Sequence, residues 1–254
     1  TGLVEKKGII YIWTNKNLKS RNLEIKVRKE LGIEQKLLTQ KEVLDLEPNL
    51  QPVFDAGVIY ESAMHARDPH GILKKIFKLY LERGGKFVQT NVKNLEQINA
   101  HETAIRSENE EYKFEKTVVA SGAFSKSLTD QLGENIPLDT ERGYHVHFKG
   151  KDHLISRPVI FLDRGFGMTP MNQGLRAVGT VELGGLQNPP SKKRIDYIIK
   201  CAKELLPDLD KHEDEWLGFR PTLPDFLPIL GPSLKNKNII YAFGHQHLGW
   251  TLGA

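Results

Sequence analysis

The sequence predicts an α+β fold, or a mixed α/β one, and three observations carry that expectation. Apolar residues recur at helical spacing in Ile72-Leu73-Ile76-Phe77-Tyr80 and in Ile195-Ile198-Ile199-Ala202-Leu205-Leu206. Apolar and polar residues alternate in Tyr144-His145-Val146-His147-Phe148, the period of a strand with one face on a core. The second half is richer in strands that read as antiparallel, so helices and strands do not simply alternate.

Taken in order, Lys7–Trp13 reads as a strand and Lys16–Leu31 as a charged helix with Leu23, Val27 and Leu31 on one face. Thr39-Gln-Lys-Glu42 has the form of a capping box and opens a short helix that Pro48 stops. Ala56–Tyr60 is a brief strand. Asp68 caps a helix that takes Pro69 at its first position and ends at Gly84-Gly85. Strands are expected at Lys86–Thr90, Thr117–Ala120, Pro158–Leu162 and Leu175–Leu183, and Ser191 caps a last long helix.

The chain has 254 residues, 39% hydrophobic and 27% charged, enough to bury a sizeable core. Its formal charge of +4 is well mixed in sign, so no basic stripe points to nucleic acid. The single cysteine, Cys201, excludes an internal disulfide and reads as a core or surface-helix thiol in a reducing compartment. No apolar run approaches the roughly 18 residues of a membrane span. The expected location is the cytoplasm, with peripheral attachment to the inner membrane left open. Because the chain begins at Thr1, a preceding segment is expected.

Three groups of residues could carry chemistry. His145-Val-His147 and His245-Gln-His247 share a spacing that on a strand aims two imidazoles the same way, as a zinc or iron site would require. No second set of carboxylates stands at recognisable spacing to orient them, and the expectation is no metal. The segment from Gly218 to Pro232 holds Pro221, Pro224, Pro228 and Pro232, so it reads as a stiff extended loop rather than a helix or a central strand. It mounts Arg220, either for bidentate recognition of a carboxylate or for an ordinary surface ion pair. Thr117–Ser125 runs from β-branched residues into small ones around Gly122, where a backbone can approach a ligand. No G-x-G-x-x-G, no G-x-x-x-x-G-K-[ST] and no G-x-S-x-G occurs; Gly165-Phe-Gly167 comes nearest to the first, with Pro170 at the third glycine.

An ordered set of motifs crosses most of the chain: Glu47-Pro48, Asp68-Pro69, Val118-Val-Ala-Ser-Gly-Ala123, Arg142-Gly-Tyr144 and Leu175-Arg176. It continues with Gly179-Thr-Val-Glu182, Trp216-Leu-Gly-Phe-Arg-Pro221, Pro224-Asp225, Pro228-Ile-Leu-Gly231 and Gly244-His-x-x-Leu-Gly-Trp-Thr251. In this order the motifs resemble FAD-dependent oxidoreductases of the D-amino-acid oxidase family, in particular bacterial D-amino-acid dehydrogenases and glycine oxidases. The resemblance implies a substrate domain with a mixed, largely antiparallel sheet flanked by helices, plus an incomplete portion of an FAD-binding α/β domain. It assigns 1–66 and 126–238 to the substrate domain, 67–125 to part of the FAD-binding domain, and 239–254 to the start of a C-terminal FAD-binding segment.

The same resemblance implies site residues. Gly244, His245, Gln246 and His247 would face the flavin, continued by Leu248, Gly249 and Trp250. Val92 would contact the adenine, and Gly122 and Ala123 would meet FAD from the other half of the nucleotide domain. Arg220 would grip the substrate carboxylate and carry the catalytic positioning, with His247, Tyr144, His145 and Met168 as further substrate residues. Two departures from the glycine oxidase pattern are expected to enlarge or soften the pocket: His247 in place of an arginine, and Gly167 in place of a tyrosine.

The implied reaction is oxidation of the C–N bond of a D-amino acid or secondary amine, with the electron acceptor open and a homo- or hetero-oligomer allowed. The family's first βαβ unit and last helix are missing from this sequence, so poor binding of FAD by the chain alone is expected. The alternatives are a non-catalytic binding subunit of a multi-subunit dehydrogenase and a His-ligated metalloenzyme.

Overall fold

A computed structural model describes residues 2–14 and 18–253, and the chain divides into two compact units. The first comprises Thr1–Gly85, Tyr144–Thr180 and Pro190–Leu217; the second comprises Lys86–Gly143, Val181–Pro189 and Gly218–Ala254. These cuts differ from the expected segments.

The first unit opens with β1 (Val4–Glu5), β2 (Ile9–Trp13) and α1 (Leu18–Glu30). Lys16, the expected start of that helix, lies outside the described residues. β3 (Lys36–Thr39) and α2 (Gln40–Leu46) follow, then β4 (Ala56–Tyr60), β5 (His65–Ala66) and α3 (Pro69–Glu82). The second unit supplies β6 (Asn94–Asn99), β7 (Glu102–Arg106), β8 (Glu111–Phe114), β9 (Thr117–Val119) and α4 (Ser125–Gln131). Next come β10 (Asp139–Lys149), β11 (Val159–Phe161), β12 (Phe166–Met171), β13 (Gly174–Leu183) and α5 (Lys192–Leu205). The chain finishes with β14 (Asp214–Thr222), β15 (Ile229–Pro232), β16 (Ile239–Phe243) and the short α6 (Gly249–Leu252).

Local chemistry sets the helix starts. The capping box of α2 is complete: the Glu42 amide donates to Thr39 Oγ1, and the Thr39 amide donates to Glu42 Oε2 at 2.8 Å. At α3 the Gly71 amide donates to Asp68 Oδ1 at 2.8 Å, and Pro69 occupies the first helical turn. Ser191 stands at the N-cap of α5, but its side chain makes no capping bond. Backbone bonds tie the start of α3 to the first unit, because the Arg67 and Asp68 amides donate to the Leu3 carbonyl and the Asn172 amide donates to the Arg67 carbonyl. The apolar stripe of α3 is not buried: Leu73 and Ile76 are each 59% exposed.

The main sheet has eight strands in the order β14-β10-β13-β12-β11-β2-β4-β3. β2 pairs with β11 in parallel, whereas β12 pairs with β11 and β13 antiparallel, as β4 does with β2 and β3. The mixed, largely antiparallel sheet flanked by helices is thus present. Alternation sends Tyr144, Val146 and Phe148 into a core shared with Leu175, Ala177 and the buried face of α5, including Cys201. Each large side chain so buried contributes about 1.5–3 kcal/mol.

Two expected elements differ. Lys86–Thr90 forms no strand, and no ladder partner for it exists among the described residues. Gly218–Thr222 is not loop but the end of β14, an edge strand, which is where a sheet tolerates Pro221 without losing a ladder bond.

The second unit has its own core of Leu95, Val119, Leu128, Leu138, Ile239 and Phe243 with their neighbours, between the sheets β15-β16-β9 and β6-β7-β8. β9 and β16 pair in parallel, Val119 opposite Tyr241, so both strands end at the same edge of their sheet.

Candidate functional site

That shared edge gathers two glycine turns. β9 runs out through Ala120 and Ser121 to Gly122, whose φ is +56°, with nothing within 4 Å of where a Cβ would sit. β16 runs out directly into Gly244, with φ of +88°. A Cβ there would lie 2.7 Å from Leu223 Cδ1, so space and backbone conformation both require glycine. The chain then makes a tight turn through His245, with the Leu248 amide donating to the His245 carbonyl at 2.9 Å, before Gly249 opens α6. Gln246 holds φ at +48°, an uncommon conformation for a residue with a Cβ. Open backbone at the carboxyl ends of adjacent parallel strands is the usual place for a ligand in α/β sheets.

Beside the turn stands a polar cluster from β10 and β14, all within the second unit. Glu141 receives both of its side-chain hydrogen bonds from the turn: Gln246 Nε2 donates to Oε1 at 3.2 Å, and His247 Nε2 lies 3.0 Å from Oε2. Glu141 is also the charge that acts on Arg220, opposing the burial that lowers the guanidinium's pKa below its ordinary value. Arg220 Nη1 is buried without a hydrogen-bond partner among the described residues.

The guanidinium lies directly over Gly143, where a Cβ would fall 2.2–2.4 Å from three of its atoms. Gly143 is therefore the cradle that lets Arg220 lie across β10. Next to it, Arg142 is fully buried, and its Nε, like Arg220 Nη1, makes no hydrogen bond among the described residues. It donates to the Pro189 carbonyl at 2.9 Å, pairs with Glu182 at 3.3 Å and lies 6.0 Å from the Phe219 ring centroid.

A buried guanidinium nitrogen without a partner costs roughly 1–3 kcal/mol, more because the group is charged. An anionic ligand removes that cost, and the planar fork of arginine matches a carboxylate. The donor set and the cradled backbone therefore fit an amino-acid carboxylate beside a flat cofactor. The fit extends to FAD: Gly122 presents open backbone, Gly244 allows close approach at the terminal turn, and Val92 is 37% exposed. Ala123 is largely buried in the short helix Gly122–Phe124. Leu248 and Trp250 are exposed.

Strand alternation decides where two of the expected substrate residues, Tyr144 and Met168, lie. Tyr144 and Met168 have no exposure and lie in the core of the first unit, and the Tyr144 hydroxyl accepts from the Ser191 amide at 3.1 Å. The space above Gly167 is already filled, because a Cβ there would meet Ile160 Cδ1 at 2.4 Å. His145, on the opposite face of β10, does line a cavity within the first unit. The pairs His145–His147 and His245–His247 belong to different units, and among the described residues no group of three or more His, Cys, Asp or Glu could hold a metal ion.

Sequence reading missed Glu141 and the role of Gly143. The signal for Gly143 was present, since a glycine between Arg142 and Tyr144 in the middle of a strand marks close approach by another group. Glu141 had no such mark: a glutamate at a strand position reads as solvated until its partners are known.

The chain belongs to the family described as FAD dependent oxidoreductase, which it matches over residues 2–254. It is 32% identical over 252 residues to a protein of Bradyrhizobium diazoefficiens named D-amino-acid oxidase, covering 97% of this chain and 60% of that one. It is 30% identical over 255 residues to a protein of Vibrio atlanticus named D-amino acid dehydrogenase, covering 97% of this chain and 61% of that one. The chain thus spans about three-fifths of the length of these relatives. Among solved structures, glycine oxidase from Geobacillus kaustophilus matches with a TM-score of 0.88 at 21% identity, over 98% of this chain and 69% of that one. At that identity the match shows the fold alone.

Proposed function

We propose that the protein oxidises the C–N bond of a D-amino acid or a related secondary amine, with FAD as the group that accepts the hydride. The observation that carries this reading is Arg220, a half-buried guanidinium with an unpartnered nitrogen, cradled by Gly143 and tied through Glu141 to the terminal glycine turn. Two relatives named for D-amino-acid oxidation or dehydrogenation support the substrate class.

Arg220 binds and orients the substrate carboxylate, which fixes the Cα–H bond in one direction. Glu141 holds Gln246 and His247 so that the Gly244–Gly249 backbone keeps one shape, and amides in such a turn stabilise negative charge developing beside them. Gly122, Ala123 and Val92 contribute backbone to the nucleotide part of FAD. The cofactor, when bound, supplies the electron sink; the chain supplies position and charge. In this reading 1–66 and 126–238 serve the substrate and 67–125 and 239–254 the cofactor, although Glu141, Gly143 and Arg220 lie in the compact unit that also holds the FAD-facing turns.

The test is to mix FAD-loaded protein anaerobically with a set of D-amino acids and N-alkyl amino acids and to follow the visible absorbance of the flavin. Bleaching by at least one of them is expected. Binding of an amino acid without bleaching would identify a non-catalytic binding subunit, and loaded protein that neither binds nor is bleached by any of them would end the proposal.

A further inference from the structure

The first unit contains a cavity of about 400 Å³ whose walls include Arg67, Asp68, His145, His147, Arg176 and Trp216. None of its lining residues belongs to the Arg220 cluster. The alternation of β13 explains its main cation: Leu175 and Ala177 enter the core, so Arg176 points to the other face of the sheet.

The charged groups of the wall are unequally engaged. Arg67 donates to Asp152 at 2.9 Å and to Asn172 Oδ1 at 3.0 Å, and lies 3.5 Å from Glu5. Asp68 accepts from the Gly71 amide and faces the positive start of α3. Arg176 differs. Its Nε is buried without a hydrogen-bond partner, and no carboxylate lies within 4 Å of its guanidinium among the described residues. Burial lowers its pKa below the ordinary arginine value, and the charge of Asp68 opposes this only in part.

The remaining walls complete a site. Among the described residues His147 Nε2 is also buried without a hydrogen-bond partner. His145 stacks on Trp216, ring centroids 4.8 Å apart and planes at 18°, and the indole is 55% exposed, so a flat platform remains available. Burial lowers the pKa of both histidines below the ordinary imidazole value. The cavity thus offers one uncompensated positive charge, an additional ring nitrogen and an aromatic wall. One unpaired cation matches a monoanion; a phosphate dianion would need a second.

We propose that this cavity binds a small organic carboxylate, with Arg176 gripping the carboxylate and Trp216 covering the ligand's apolar body. The inference does not rest on the oxidoreductase reading.

Calorimetric titration of the chain with phenylacetate, with its uncharged isostere phenylacetamide and with inorganic phosphate tests it. Saturable binding of phenylacetate is expected, at least tenfold tighter than the other two. Arg176→Gln should weaken it at least tenfold, whereas Arg220→Gln should leave it in place, which separates the two arginines. Because Arg176→Gln could perturb β13, Trp216→Leu at an exposed position provides a second variant, expected to weaken phenylacetate several-fold. The proposal is overturned if phenylacetate shows no saturation up to concentrations on the order of 10 mM. It is overturned equally if the amide or phosphate binds as tightly, or if the loss follows Arg220 instead of Arg176.

Discussion

Arg220 illustrates how one residue depends on its neighbours. Its guanidinium occupies the space that any side chain at position 143 would need. Gly143→Ala should therefore displace it and lower kcat/KM for the amino-acid substrate about 10–100-fold, a few kcal/mol of lost carboxylate binding. Most of the loss should appear in KM, measured by steady-state kinetics on FAD-loaded protein. Unchanged kinetics would mean that the cradle is irrelevant.

His145 gives a second prediction at this scale. Desolvation first, then the charges of Arg176 and His147, lower its pKa from 6.5 to about 4. The unfolded chain thus binds the proton before the folded one does. The stability linked to His145 is complete above pH 6.5 and declines as pH falls towards about 4. Urea midpoints should drop across that window, and His145→Gln should flatten the slope; an equal slope in the variant would refute the assignment.

At the scale of elements, local rules were the most legible part of the sequence. Asp68 caps α3 as its position before Pro69 predicts, and Asp68→Ala should cost about 1 kcal/mol of stability by urea unfolding. The Thr39–Glu42 box was legible for the same reason: both partners lie within one turn. Lys86–Thr90 was misread because strand propensity counts only where a neighbouring strand accepts the ladder. The Gly244 turn combines both kinds of constraint, a positive φ and the Leu223 side chain. Gly244→Ala should destabilise by about 1–3 kcal/mol, read from the same urea curves.

At the scale of the whole chain, the order of short motifs predicted the family, and that prediction holds over residues 2–254. The general fold was readable because alternation and helical spacing reflect which face is buried. The candidate site, as proposed, was legible only in part. Arg220 and the terminal glycines announce themselves by residue type, whereas Tyr144 and Met168 look like pocket residues until strand pairing shows which side of the sheet they face. Glu141 is recognisable only once β10 and the turn meet, 105 and 106 residues apart in sequence.

The central claim is that Arg220 recognises a substrate carboxylate, and the most direct measurement compares kcat/KM for an amino acid and its amide in wild-type and Arg220→Gln protein, both loaded with FAD. The wild type should prefer the carboxylate by about 10²–10³-fold, the worth of a buried charge-assisted pair, and the variant should lose most of that preference. A variant that discriminates as strongly as the wild type would contradict the account.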